Sequence, residues 1–216
     1  IQGGEVSGTV DEVIRHGITK FAHIHFPATE KSAQRIIKLG EDPKYVFNVG
    51  SPSLDTIKTI NYLPKEEIYK KYSLDPAKKL IIFIQHPVTT EVNSVTKQIN
   101  QSIKAMHSVK KKYNTQTLAI YTNNDAGGRR IIQELNNSGI KVLPHIVYED
   151  FLNLMKWADA LVGNSSSGIH EAPSFGLPVV NIGSRQKYRE RAVNVIDVYH
   201  NSKAITLAVE KALFDT

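Results

Sequence analysis

The sequence predicts an α/β protein: a parallel sheet with helices on both faces. Two observations carry this. Strand-like and helix-like segments alternate along almost the whole chain, as crossovers between parallel strands require. The polar residues with chemistry to offer follow the ends of the apolar runs: His86 after one, Asn123 to Asp125 after the next, Ser165 and Ser166 after a third, Arg185 after a fourth. In a doubly wound sheet that is where ligands sit.

The elements read in order as follows. Asp11 to Ala22 is a helix with Asp11 as a cap, and His23 to Ala28 a strand. Thr29 to Leu39 is a helix capped by Thr29 and stopped by Gly40. Tyr45 to Val49 is a strand ending at Gly50. Pro52 to Ile60 and Pro64 to Lys71 are helical, and the turn at Asp75-Pro76 reads as a boundary. The pattern then restarts with a buried strand, Leu80 to Gln85. Val95, Ile99, Ile103, Met106, Val109 and Tyr113 keep helical spacing and make one long amphipathic helix. Strand Thr117–Tyr121, helix Gly128–Asn137, strand Lys141–Leu143, helix Tyr148–Trp157 and strand Ala160–Val162 follow. Helix Ser167–Phe175, strands Pro178–Ile182 and Asn194–Val198, and helix Ser202–Phe214 complete the series. The expected division is a half-domain over 1–60, a linker over 61–76, a complete Rossmann-like domain over 77–198 and a terminal helix over 199–216.

Composition narrows the class. At 41% hydrophobic and 22% charged, the 216 residues are ordinary for a globular protein with one large core or two small ones. There are no cysteines, which excludes disulfides and thiolate metal sites and fits a cytoplasmic protein. The longest apolar runs are far too short to span a bilayer, and no signal peptide is visible. The net charge of +6 comes from scattered lysines and arginines without interleaved aromatics, which argues for solubility and against nucleic acid. The chain opens on Ile1-Gln2-Gly3-Gly4, read as the later part of a longer protein.

The segment GNSSSGIHEAPSFG, Gly163 to Gly176, is the most informative. A serine turn that opens a helix presents backbone N–H groups to a phosphate or diphosphate, and Glu171 beyond it is placed to take the two hydroxyls of a ribose. A plain helix cap is the simpler reading of such a turn. His86, in QHPVTTE, either bonds a phosphate oxygen, assists a leaving group, or caps a strand end. Asn123, in TNNDAGG, faces a cleft or only satisfies turn geometry. Arg185 offers a guanidinium fork to a diphosphate or a base carbonyl, while Lys187, Arg189 and Arg191 are expected to face solvent. Near the start, glycines including Gly8 allow close approach or unusual turns. Asp11 is either an N-cap or a general acid or base.

Together IQGGEVSGTVDEVIRHGITK, QHPVTTE, TNNDAGG, GNSSSGIHEAPSFGLPVVNIGSRQ and NVIDV resemble the UDP-N-acetylglucosamine 2-epimerase family over essentially the whole chain. The GNSSSG loop and the GSRQ…NVIDV tail resemble its hydrolysing branch. The resemblance implies two Rossmann-like domains of glycosyltransferase-B type, the first truncated here, and little activity for the chain alone. It implies a UDP-sugar substrate, no cofactor, no metal, no membrane partner and a homo-oligomer of two or more copies. The reaction would be elimination of UDP and hydration of the glycal, giving N-acetylmannosamine for sialic acid-type synthesis. By motif, Ser165 and Ser166 would hold the diphosphate, His86 would meet it near the leaving oxygen, Glu171 would hold the ribose, and Arg185 and Asn123 the uridine side. Asp11 matches a family catalytic carboxylate. Rival readings are a UDP-diacetamido-trideoxyhexose substrate, the non-hydrolysing branch, a glycosyltransferase of the same fold and a non-catalytic UDP-sugar binding module.

One position departs from the family pattern. Gln2 stands where a catalytic glutamate is common, and an amide cannot give or take a proton near neutral pH. Either another carboxylate such as Glu5 serves, or position 2 is altered, or that role is less general.

Overall fold

The computed structural model describes residues 2–7 and 9–215. Ile1 and Gly8, from the glycine-rich opening, lie outside the described residues, as does Thr216. The chain divides into two compact units, residues 1–59 with 187–189, and residues 60–186 with 190–216.

In the first unit, helices α1 (Asp11–Phe21), α2 (Glu30–Lys38) and α3 (Pro52–Thr59) form where the pattern places them. Thr29 caps α2, its side chain accepting the Ser32 N–H. The start of α1 differs from expectation. Val10 holds the cap position and no side chain caps the helix; Asp11 is the first helical residue, where the dipole favours its negative charge.

The expected strands His23–Ala28 and Tyr45–Val49 meet at a single parallel bridge, His25–Val46. His25 donates to Tyr45 O and accepts from Phe47 N, but Pro27 has no N–H with which to continue the ladder. Pro43–Tyr45 winds instead as a 3-10 turn capped by Asp42. Ile24, Phe26, Phe47 and Val49 remain exposed, so burial adds little to this pairing.

The second unit is a Rossmann-like α/β fold. Its strands are β1 (Lys79–Ile84), β2 (Thr115–Ile120), β3 (Lys141–Leu143), β4 (Ala160–Gly163), β5 (Val179–Ile182) and β6 (Val195–Val198). They pair in parallel in the order β3-β2-β1-β4-β5-β6. The chain winds from β1 outward to β3, then returns and winds from β4 outward to β6. The order therefore reverses between β1 and β4.

Helices α5 (Val95–Lys112) and α9 (Ser202–Phe214) pack together. Ile81 and Phe83 of β1 join Ile99, Met106, Ile205 and Val209 in that core. Leu80 and Ile82 alternate to the opposite face, as a strand's period of two demands. Helices α4 (Lys65–Lys71) and α7 (Tyr148–Trp157) pack on each other and bury Ile68, Tyr69, Leu152 and Met155. Tyr69 Oη donates to Trp157 O at 3.0 Å, and Trp157 Nε1 donates to Leu63 O at 3.0 Å. Helix α6 (Gly128–Asn137) follows β2.

The helix expected over Ser167–Phe175 is broken. A single turn, α8 (Ser167–His170), gives way to a 3-10 turn, Ala172–Phe175. Pro173 supplies no N–H and its ring obstructs an α-helical continuation. One turn carries little macrodipole, so any attraction for an anion there rests on individual N–H groups.

Candidate functional site

The strand order reverses between β1 and β4, and in open α/β sheets ligands bind beyond the carboxyl ends of the strands at such a point. The two backbones run unusually close there. Gly163 ends β4 with φ of +133°, and a Cβ on it would lie 1.8 Å from Ile84 O. Only glycine fits, for reasons of both conformation and space.

Asn164, 1% exposed, follows at once. Its side chain accepts the His86 N–H at 2.6 Å and donates to His86 O at 2.9 Å. Its own N–H donates to Ile84 O at 3.0 Å. Its carbonyl accepts from Gln186 Nε2 at 2.7 Å and Arg185 Nη1 at 3.2 Å. One buried asparagine thus ties together the loops after β1, β4 and β5. Neither Asn164 nor Gln186 stands out in the sequence as a site residue. The available signal was a polar residue lodged between a strand-ending glycine and a serine loop, where a two-sided amide can satisfy both backbone groups of a neighbour.

His86 is half-buried at the end of β1. The Asn123 backbone N–H donates to its Nδ1 at 3.1 Å, and Thr122 Oγ1 lies 3.0 Å from the same atom. Burial, and then the Arg185 guanidinium, push its pKa down to about 3. The Asn123 side chain donates to Asp125 Oδ2 at 2.6 Å. A cavity of about 380 Å³ opens beside it, lined by residues 123–130 and Ile132.

Ser165 and Ser166 are half-buried, and their backbone N–H groups meet no acceptor among the described residues. Ser165 Oγ accepts from Ser167 N at 3.3 Å. Glu171 is half-buried beyond α8, and burial followed by this carboxylate raises the pKa of the Tyr148 phenol.

After β5, Ser184 donates to Glu91 Oε1, and Gln98 Nε2 donates to Glu91 Oε2 at 2.6 Å. This pins the Arg185 loop to the stretch Thr89–Ser94. Two of the three basic residues expected in solvent are engaged elsewhere. Arg191 pairs with Asp197 and donates to Gln186 O at 2.6 Å. Arg189 belongs to the first unit, its side chain 10% exposed and 3.1 Å from Glu5 Oε2.

Within the first unit Gln2 is half-buried, with Nε2 donating to Ser51 Oγ at 3.4 Å. Asp11 is exposed and accepts from Thr9 Oγ1 at 3.1 Å. Glu5 is also 3.6 Å from Arg15 Nη2, and its carbonyl accepts from Arg15 Nη1 at 3.1 Å. A carboxylate committed to two guanidinium groups is poorly placed to shuttle a proton. The structure therefore argues against Glu5 as the substitute for the glutamate absent at position 2.

A family model described as UDP-N-acetylglucosamine 2-epimerase matches residues 1–216. The chain belongs to this family. It is 42% identical over 217 residues to a UDP-N,N'-diacetylbacillosamine 2-epimerase (hydrolyzing) of Legionella pneumophila, covering 99% of this chain and 56% of the relative. It is 38% identical over 215 residues to a UDP-N-acetylglucosamine 2-epimerase of Neisseria meningitidis serogroup B, covering 98% of this chain and 56% of that protein. The chain thus spans a little over half the length of these epimerases.

The fold matches as well. A crystal structure of UDP-GlcNAc 2-epimerase from Neisseria meningitidis bound to UDP-GlcNAc superposes with a TM-score of 0.75 at 18% identity, over 98% of this chain and 60% of that one. Among the described residues no helix is long and apolar enough to cross a membrane.

Proposed function

We propose that this epimerase-family chain supplies the UDP-binding half of a hydrolysing 2-epimerase that acts on a UDP-linked 2-acetamido sugar. One observation carries the reading. Asn164 gathers His86, the Ser165-Ser166 turn and Arg185 at the switch point of a parallel sheet, an array of N–H donors and positive charge suited to a diphosphate. Glu171 would hold the ribose hydroxyls, and Asn123 would sit on the uridine side. The arrangement belongs to a B-type pair of Rossmann-like domains, with residues 1–60 in the first, 61–76 connecting, 77–198 forming the second and 199–216 its terminal helix. The lack of cysteine accords with work in the cytoplasm, and the family resemblance supports a homo-oligomer.

The chemistry is elimination, then hydration. A carboxylate takes the proton from C2 of the sugar as the C1–O bond to UDP breaks. Water then adds to the glycal, giving UDP and the free 2-epimer. The departing diphosphate gathers negative charge, which preorganised donors stabilise. Asp11 is the candidate acid or base, with Gln2 in the place of a second carboxylate.

The hydrolysing branch is supported by the Legionella relative's description. The same relative favours a second reading of the sugar, a diacetamido-trideoxyhexose, because its 42% identity exceeds the 38% of the Neisseria UDP-N-acetylglucosamine enzyme. Incubating the full-length protein with each UDP-sugar decides both points. Free UDP with N-acetylmannosamine, or with the corresponding diacetamido 2-epimer, is expected. Two UDP-linked epimers without free UDP would place the protein in the non-hydrolysing branch. UDP release only with an acceptor present would make it a transferase.

Two substitutions probe the assignments. Glu171→Ala should weaken UDP binding about tenfold or more through loss of charge-assisted hydrogen bonds, with little change in melting temperature. An unaltered dissociation constant by calorimetry would remove the ribose role. Gln2→Glu should raise turnover if position 2 lacks a useful base, and no change there would show that the reaction does not use it.

A further inference from the structure

The geometry points to His86 serving as a fixed, neutral hydrogen-bond donor through Nε2–H, and not as a proton donor to the leaving group. This rests on the diphosphate reading above and specifies what the histidine does within it.

The argument begins with the Asn123 backbone N–H, which lies 3.1 Å from His86 Nδ1. A backbone amide can only donate, so Nδ1 must present its lone pair. A neutral imidazole with a bare Nδ1 carries its proton on Nε2. Thr122 Oγ1, at 3.0 Å from the same nitrogen and 3.3 Å from Asn123 Oδ1, can donate or accept, so the assignment rests on the backbone N–H, whose proton has a fixed direction. The ring's mount is equally constrained, because Asn164 grips both the N–H and the carbonyl of His86.

Forming the imidazolium would place an Nδ1–H against the Asn123 N–H. That exchanges a hydrogen bond for a contact between two donors. Thr122 Oγ1 could accept from such an Nδ1–H, but among the described residues no anion faces the ring to offset the clash or to favour its charge. Thr122 and Asn123 from the end of β2 and Asn164 from the end of β4 are neutral, and Arg185 from the loop after β5 is a cation. The depressed pKa agrees with this geometry. His86 therefore enters the reaction with one ring donor, Nε2–H, and no spare proton. The UDP oxygen departs as an anion, its charge met by Nε2–H, by Arg185 and by the N–H groups of Ser165 and Ser166, and any proton it later gains comes from water.

Two measurements on the full-length protein test this. In the first, histidine ring nitrogens are observed by ¹⁵N NMR, with His86 assigned by its loss in His86→Gln. The expected result is an Nε2–H tautomer unchanged from about pH 5.5 to 8, inside the range where an ordinary histidine titrates. Titration within that window, or an Nδ1–H tautomer, would overturn the proposal.

The second compares His86→Gln with His86→Ala. A glutamine Nε2 can donate a hydrogen bond close to where the imidazole Nε2 stood, but it cannot release a proton. Loss of the donor in His86→Ala should lower kcat by about 100-fold or more. His86→Gln should recover to within about tenfold of wild type, a difference of roughly 1.4 kcal/mol, with the pH profile unshifted. Glutamine as poor as alanine in a folded protein would show that a transferable proton is needed. If wild type released no UDP at all, the function proposed above would fall, while the NMR experiment would still decide the tautomer.

Discussion

Gly163→Ala should cost roughly 3 kcal/mol or more of stability, because strain at a φ this far positive adds to a steric overlap that nothing nearby can relieve. The added Cβ would stand 1.8 Å from the carbonyl oxygen of Ile84 and 2.5 Å from its carbonyl carbon. Both are backbone atoms of the central strand, and β1 is held on its other side by β2. Thermal unfolding followed by circular dichroism should show a fall of about 2–4 °C for each kcal/mol lost. Gly139→Ala is the control. Its φ is +69°, but no atom lies within 4 Å of the added carbon, so only conformational strain of about 1 kcal/mol is expected. Equal losses in the two variants would mean that β1 and β4 can separate freely. The site's geometry would then not rest on their close approach.

Glu5→Ala should be comparably severe in the first unit. The carboxylate sits between Arg15 and Arg189, whose side chains are 8% and 10% exposed. Its removal takes the shared anion from two largely buried guanidinium groups, a change expected to cost about 3–5 kcal/mol. The loss should depend little on salt, since buried charges are weakly screened. Adding Arg189→Met to Glu5→Ala should recover part of it by removing one of the two cations that the carboxylate balanced. Chemical denaturation of the three proteins gives the comparison. If the single variant unfolds like wild type, the cluster is ornamental and Glu5 becomes available again as a proton carrier. A folded Glu5→Gln enzyme that keeps its turnover would confirm the structural role.

How far the sequence can be read differs between the two units. In the second, the strands are short apolar runs, and their ends are plain because hydrophobicity stops abruptly. Positions such as His86 and Arg185 could therefore be placed at the edge of the sheet without coordinates. In the first, the runs 23–28 and 45–49 have strand-like composition, yet they meet at only one bridge. Composition reports what would suit a sheet, whereas a ladder also needs a donor at every second residue, and Pro27 lacks one. The serine-headed helix failed for a similar local reason at Pro173. Arg189 misled for the opposite reason: nothing in a basic loop announces a carboxylate 184 positions earlier in the chain.

The alternation of elements, the parallel Rossmann-like sheet and the family follow from the order of residues alone, because hydrophobic periodicity and turn chemistry act over a few neighbours. Which nitrogen of His86 bears the proton, why Asn164 must be an amide, and whether Glu5 is free to react depend on groups far apart in the chain. Those answers came from folding, since hydrogen bonds and buried ion pairs are decided by distance in space and by the exclusion of water, neither of which a linear string records.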